Sequence, residues 1–457
     1  MNALHPQSDH FFMKLGDPNC LLQLFHNGVT KGNLWSASQY SSNNAWNLNN
    51  NGNLNNNNKY NGLTVVPLAE LNRKDTAKGG YRIPLSHILA AFDECIKNKR
   101  TTYNAQKFAV DLEHKIMRLW HELDNGEYQI GRSICFIVTR PVKREVFAAD
   151  FRDRIVHDYI CMRINPLFEK YLPRNMCSNR KNKGTLYAIH NVAYDIWDVS
   201  KGYTRDCWIW KFDIKGFFMS IDKRLLNDKL QAFLDERYHG RDKAVIKRLS
   251  EQVIMNCPQD NCIRRSPETA WEGLRADKSL FTQDKNHGMP IGNLPSQLLA
   301  NFLLSNVVRY LAENGFKAAT QYVDDFVVVH PSRDEIRAFM PRFRVWMKDT
   351  LRVNLHPSKT YLQHYRKGVS FVGGIIKPWR IYTSSRTRRK MVNKIVWITK
   401  YSDLTPAECL ASVNSYFGLT RHFSATGLRI KAAQMLFARY GRAVCFNEHY
   451  NKMIIAK

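Results

Sequence analysis

The chain predicts an α+β fold, and three observations carry that expectation. Strand-forming residues run on both sides of two adjacent carboxylates in Gln321-Tyr322-Val323-Asp324-Asp325-Phe326-Val327-Val328-Val329, which predicts a hairpin with the aspartates at its turn. A second strand, Trp208-Ile209-Trp210-Lys211-Phe212-Asp213-Ile214, carries another aspartate near its end. Long stretches around both have apolar residues at helical spacing. Side-by-side carboxylates repel each other and are costly to desolvate, so they are tolerable where a divalent cation neutralises them. Oxygen-only donors suit magnesium or manganese, and a two-metal site for nucleotidyl transfer needs the pair plus a third carboxylate, here Asp213. A plain acidic hairpin turn is the alternative that the pair alone leaves open.

At 457 residues the chain has room for two or three domains. Its 68 Lys and Arg against 40 Asp and Glu, a formal charge of +28, imply a polyanionic partner. Nucleic acid is the first candidate and an anionic membrane surface the second. No stretch approaches ~18 uninterrupted apolar residues, so no spanning helix is expected. No secretory signal is evident, and ten scattered cysteines suit a reducing cytoplasm. Cys257 and Cys262 are the one close pair, and no second pair or His cluster gives them zinc spacing.

In chain order, residues 1 to 33 are weakly patterned, and an asparagine-dominated run from Asn43 to Asn61 predicts a disordered linker. Order is expected from Tyr81. One helix is expected within Ile83 to Lys99, and a single longer one from Asn104 to Asp124, ended by Gly126. A strand follows at Ile134 to Val138, then a helix from Phe151 that stops before Pro166. The basic loop Asn179 to Thr185, with Arg180, Lys181 and Lys183, precedes a helix and has the character of a phosphate-binding junction. Further helices are expected at 222 to 238, 243 to 255, 297 to 311 and 334 to 348, and a hairpin at Val369 to Ile376. From Ser384 the chain turns basic and helical, with Arg386, Arg388, Arg389 and Lys390 on a face suited to a duplex backbone.

The ordered set Phe212-Asp213-Ile214-Lys215-Gly216-Phe217-Phe218, Gly292-x-x-x-Ser296, Tyr322-Val323-Asp324-Asp325, Lys359 and Val369 to Gly374 resembles reverse transcriptases. The likeness covers residues 81 to 440 and lies on the bacterial and group II intron side of that family. One block departs from most relatives. Where Gln-Gly-x-x-x-Ser-Pro is usual, this chain has Ile291-Gly292-Asn293-Leu294-Pro295-Ser296-Gln297, which looks like the enzymes of diversity-generating retroelements. The segments Asn261 to Arg265 and Lys278 to Phe281 are similar to that group as well. Such enzymes copy a template RNA into cDNA with errors at template adenines, for diversification of a target gene. Ile291 cannot hydrogen-bond where the family's Gln contacts the nucleotide, so a looser pocket is expected; adenine selectivity does not follow from that. Retron- or intron-like enzymes of ordinary fidelity, and a non-copying defence or scaffold relative, are the alternatives.

The resemblance implies a right-hand polymerase. Residues 1–80 would be the asparagine-rich segment, 81–206 fingers with the start of the palm, 207–380 the palm, and 381–457 a basic helical thumb. Asparagine codons begin with two adenines, so the segment from 31 to 70 also reads as a translated template repeat. By resemblance, Asp213, Asp324, Asp325 and the Ile214 carbonyl bind two magnesium (or manganese) ions, and Lys359 is a candidate proton donor to pyrophosphate. The resemblance also implies that Lys143 and Arg144 would hold the triphosphate and that Phe218 would exclude a ribose 2′-hydroxyl. By the same resemblance Gly292 and Ser296 match the template and nucleotide platform, and Ile291 and Gln297 join them as nucleotide-binding residues. Implied partners are a template RNA, the RNA/cDNA duplex, dNTPs and a small basic ring-forming accessory protein, in the cytoplasm of a bacterial cell.

Overall fold

The structure, a computed structural model, describes residues 83–456 apart from Asn98 and Pro141, together with the backbone of 34–41, 44–48 and 54–55. Those backbone pieces are the strands β1 (Leu34–Ser41), β2 (Asn44–Leu48) and β3 (Leu54–Asn55), paired antiparallel in that order. Part of the asparagine-rich stretch is thus strand where composition predicts a linker; ladder pairing satisfies backbone groups whatever the side chains are. The rest of residues 1–80 lies outside the described residues.

The first helices are α1 (Leu85–Ile96), α2 (Tyr103–Ala109) and α3 (Leu112–Asn125). The expected single helix from 104 to 124 is broken. Asp111 sits at φ 62°, and Lys115 Nζ donates to the carbonyls of Lys107 and Phe108 at 2.8 and 3.3 Å, capping α2. Strands β4 (Ile134–Val138) and β5 (Arg144–Ala148) form a hairpin, followed by α4 (Phe151–Tyr171). This helix runs through Pro166, where the sequence predicts a stop. Its buried face overrides the local penalty: Phe168 stacks on Phe302 with centroids 4.8 Å apart.

Then follow α5 (Thr185–Val199), β6 (Trp208–Asp213), the short α6 (Phe217–Ser220), α7 (Lys223–Arg237) and α8 (Lys243–Met255). Strand β7 (Ile263–Arg264) then returns to the β4–β5 hairpin and pairs parallel with β4. Next come α9 (Leu294–Glu313), β8 (Ala319–Tyr322), β9 (Asp325–His330), α10 (Arg333–Leu351) and β10 (Tyr361–His364). The palm sheet is antiparallel, in the order β10-β6-β9-β8. Strand alternation sorts its two faces. Trp210, Phe212, Phe326 and Val328 join the large core with α4 and α9, while Ile209, Val327 and Val329 join a second core with α5. Lys211, Asp213 and Asp325 share the phase of that second face, at the end of the sheet.

Strands β11 (Val369–Phe371), β12 (Gly374–Lys377) and β13 (Arg380–Thr383) form a small antiparallel sheet. Beyond it α11 (Ser385–Lys400), α12 (Pro406–Thr420) and α13 (Thr426–Tyr440) enclose a core of their own. The hairpin of β14 (Val444–Phe446) and β15 (Met453–Ile455) closes it. Thr405 and Glu408 make a reciprocal capping box at the start of α12.

Candidate active site

Antiparallel register sets Asp213 of β6 directly opposite Asp325 of β9. Asp324 lies at the turn between β8 and β9, and its carbonyl accepts the Ile214 N–H at 3.3 Å. The three carboxylates predicted from sequence therefore meet at one end of the palm sheet. Burial, then repulsion from Asp213 and Asp325, pushes Asp324 up to about 6. Burial also raises Asp325, opposed by Lys211, whose Nζ is 3.0 Å from Asp325 Oδ2. Lys359 Nζ lies 2.6 Å from Asp213 Oδ2. Two lysines thus take up part of the negative charge. Among the described residues no group of three His, Cys, Asp or Glu stands arranged as a ready-made metal cage. The donor chemistry still fits a hard cation: the set is all oxygen, and Asp325 Oδ1 is buried without a hydrogen-bond partner.

The turn that presents Asp324 is strained and supported from below. Val323 has φ 55°, costly for a β-branched residue. Its N–H donates to Ser178 Oγ at 3.0 Å, and its carbonyl accepts from Gln321 Nε2. Ser178 Oγ donates to Asn301 Oδ1 at 2.9 Å, and Asn301 Nδ2 donates back to the Ser178 carbonyl at 2.7 Å. All three supporting residues are buried. Sequence reasoning missed Ser178, Asn301 and Gln321, which come from three separate segments and carry no joint pattern. It also missed Lys211, although a lysine two positions before Asp213 in a strand must share its face.

An apolar wall is built from the β4–β5 hairpin, the start of α6 and the loop before α9. Ile291 lies alongside β5, its carbonyl accepting the Phe147 N–H at 2.9 Å. At Gly292 (φ 120°) any Cβ would stand 2.8 Å from Val146 Cγ1 and 3.0 Å from the Phe147 carbonyl oxygen, so the close approach requires glycine. Asn293 Oδ1 accepts the Ala149 N–H at 3.2 Å. Ile291 and Phe218 pack together on the apolar cluster of Cys135, Phe147, Met219 and Leu280. Ser296 is buried with an unpaired hydroxyl, and Gln297 is exposed.

The polar segment between α8 and α9 is held on this wall by Glu145. Its carboxylate accepts from Trp271 Nε1 (2.6 Å), Ser279 Oγ (2.7 Å) and the Leu280 N–H (2.7 Å). An acid in the buried phase of β5, with Phe147 and Ala149, is the signal that could have exposed it.

The reverse transcriptase (RNA-dependent DNA polymerase) family matches residues 143–376, half of the chain. This chain belongs to the reverse transcriptase family. It is also similar to the protein YkfC of Escherichia coli strain K12, 24% identical over 305 residues, covering 58% of this chain and 71% of that one. Among solved structures, an apo telomerase from Candida tropicalis matches at TM-score 0.42 and 14% identity, covering 56% of this chain and 55% of the other. Family membership makes the protein an RNA-directed DNA polymerase, a nucleotidyltransferase with the right-hand α+β fold.

In this reverse transcriptase three expected contact residues are otherwise engaged. Arg180, predicted to bind nucleic acid, is buried on Glu169 at 3.0 Å and donates to the Pro173 carbonyl at 2.6 Å. Lys183 Nζ binds the carbonyls of Arg174 and Met176. These two cations tie their loop to the segment just before it, whose carbonyls have no ladder partner. Lys143, predicted at the triphosphate, donates to the Glu272 carbonyl at 2.6 Å. Arg144, Lys181, Arg386, Arg388, Arg389 and Lys390 are exposed. Cys257 and Cys262 are free thiols. Among the described residues no helix is long and apolar enough to cross a membrane.

Proposed function

We propose that this reverse transcriptase copies a template RNA into cDNA with low fidelity at template adenines, as the polymerase of a diversity-generating retroelement. The observation that carries the finer reading is Ile291: it belongs to an apolar wall with Phe218 and brings no hydrogen-bonding side chain to it. A wall that selects by shape alone discriminates less than one that also hydrogen-bonds.

Asp213, Asp324 and Asp325, with the Ile214 carbonyl, would hold two magnesium ions, which neutralise charge developing on the transferred phosphate and favour the primer 3′-alkoxide. The chain's own residues do the rest. Arg144 neutralises the triphosphate. Phe218 excludes a 2′-hydroxyl. Gly292 lets the platform backbone approach β5. Lys359, leaving Asp213, hands a proton to pyrophosphate. The exposed cations of α11 bind the duplex backbone, and a basic accessory protein organises the RNA.

Primer extension on a defined RNA template, with sequencing of the cDNA, tests this for wild type, Asp324→Ala and Ile291→Gln. Errors concentrated opposite template adenines and reduced by Ile291→Gln support the reading. Uniformly low errors assign the enzyme to the retron or intron kind instead. No synthesis with its own RNA and accessory protein would refute polymerisation.

A further inference from the structure

The catalytic carboxylates occupy one end of the palm sheet; the opposite end carries an exposed aromatic surface. Tyr194 and Trp197, 59% and 47% exposed, stand three residues apart on α5 with ring centroids 5.9 Å apart. The chain then turns through Lys201, Gly202 and Tyr203, all at positive φ, which lays Gly202 against the Trp197 indole. Tyr203 meets Trp379 edge-on at 4.5 Å. Trp379, at the β12–β13 turn, is 76% exposed and has φ 66°. Behind them Tyr203 stacks on Tyr365 at 6.3 Å, and Arg366 lies over the Tyr365 ring at 5.9 Å.

This surface is separate from the active site. Trp208 begins β6 opposite His364, and Asp213 ends the same strand, so the two ends are on the order of 17 Å apart. Two features mark it as functional. Large aromatics are exposed together, where a protein without a partner would bury them. Trp379 also holds left-handed backbone that its side chain does not favour, strain that core packing of so exposed a ring does not repay.

We propose that this surface binds a single-stranded segment of RNA outside the catalytic cleft. Lys201, Arg205, Lys377 and Arg380 are exposed among the rings, against the acids Asp198 and Asp206, and Asp206 is taken up by His364 at 3.0 Å. Separated ring faces interleaved with cations are the chemistry of base stacking with phosphate neutralisation. A basic protein partner would be repelled. The proposal rests on the reading of the chain as an RNA-copying enzyme and adds a second hold on that RNA.

The test uses the full chain with its cleft filled by excess short RNA–DNA hybrid. A fluorescein-labelled oligouridylate of about 30 nucleotides is titrated by anisotropy. The Trp197→Ala/Trp379→Ala double variant is expected to bind it about tenfold more weakly, Trp379→Tyr to keep most of the affinity, and Lys377→Ala/Arg380→Ala to lower the salt slope. Extension of a short primed template should be unchanged in kcat and KM. Unchanged oligouridylate affinity in the double variant overturns the proposal. So does a parallel fall in hybrid extension, or a changed sedimentation state with RNA affinity intact, which would mark a protein interface. Wild-type protein that binds the RNA but extends no primer refutes the polymerase reading and leaves this one standing.

Discussion

Ser178 Oγ accepts the backbone N–H of Val323 at 3.0 Å, so a hydroxyl from the loop after α4 holds the turn that presents Asp324. The relationship joins a residue before the palm to one inside it, and Asn301 of α9 locks the hydroxyl in place.

Removing that hydroxyl leaves a buried N–H unpaired under a strained residue. Ser178→Ala is expected to destabilise the fold by about 1–3 kcal/mol and to lower kcat roughly tenfold or more with little change in KM for dNTP. Ser178→Thr should restore most of both. Steady-state kinetics beside thermal denaturation separates the outcomes: a KM effect with kcat intact would refute the positioning role.

Asp324 is half-buried, and desolvation and two neighbouring carboxylates raise its pKa to about 6. Asp324→Asn should abolish extension while raising the melting temperature in EDTA, the usual trade between an active-site charge and stability. A fall in melting temperature would show that the carboxylate is already compensated in the protein alone.

Glu145 is 1% exposed and accepts from three donors of the segment before α9. Glu145→Ala strands all three, for a loss of about 3 kcal/mol. The segment around 262–290 should become sensitive to limited proteolysis before the rest of the chain. Because Leu280 belongs to the cluster that carries Ile291 and Phe218, misincorporation should change as well. Protease resistance equal to wild type would disprove the anchor.

His157 is buried in α4, and burial, reinforced by Arg154, lowers its pKa to about 4. A depressed folded pKa favours the neutral ring, so its contribution is fully present above about 6.5 and is lost as pH falls toward 4. The difference amounts to about 3 kcal/mol across that window. His157→Gln should flatten the acid limb of the stability curve, as read by urea denaturation between pH 7 and pH 4.

Much of the candidate site was legible in the chain because its motifs are local. Tyr322-Val323-Asp324-Asp325 is a turn flanked by strand formers, and Asp213 ends an apolar strand; neither needs a distant partner to be recognised. Helix ends were less legible. Asp111 breaks a continuous apolar stripe, and α4 passes through Pro166, because long-range packing outweighs local propensity in both directions. Arg180 and Lys183 look like phosphate ligands in a basic loop, and in the structure they donate to carbonyls of the segment just before it, at Pro173 and Arg174.

The sequence by itself determined the α+β class, the three carboxylates, the glycine at 292 and the isoleucine beside it. Periodicity, residue chemistry and motif order are properties of neighbouring residues. Only the tertiary structure decided that Asp213 faces Asp325, that Ser178 and Asn301 carry the Val323 turn, that Glu145 anchors the segment before α9, and that Trp197 and Trp379 share one surface. Each of those is a meeting of residues far apart in the chain, set by strand register and core packing, and register leaves no trace in the spacing of any one segment.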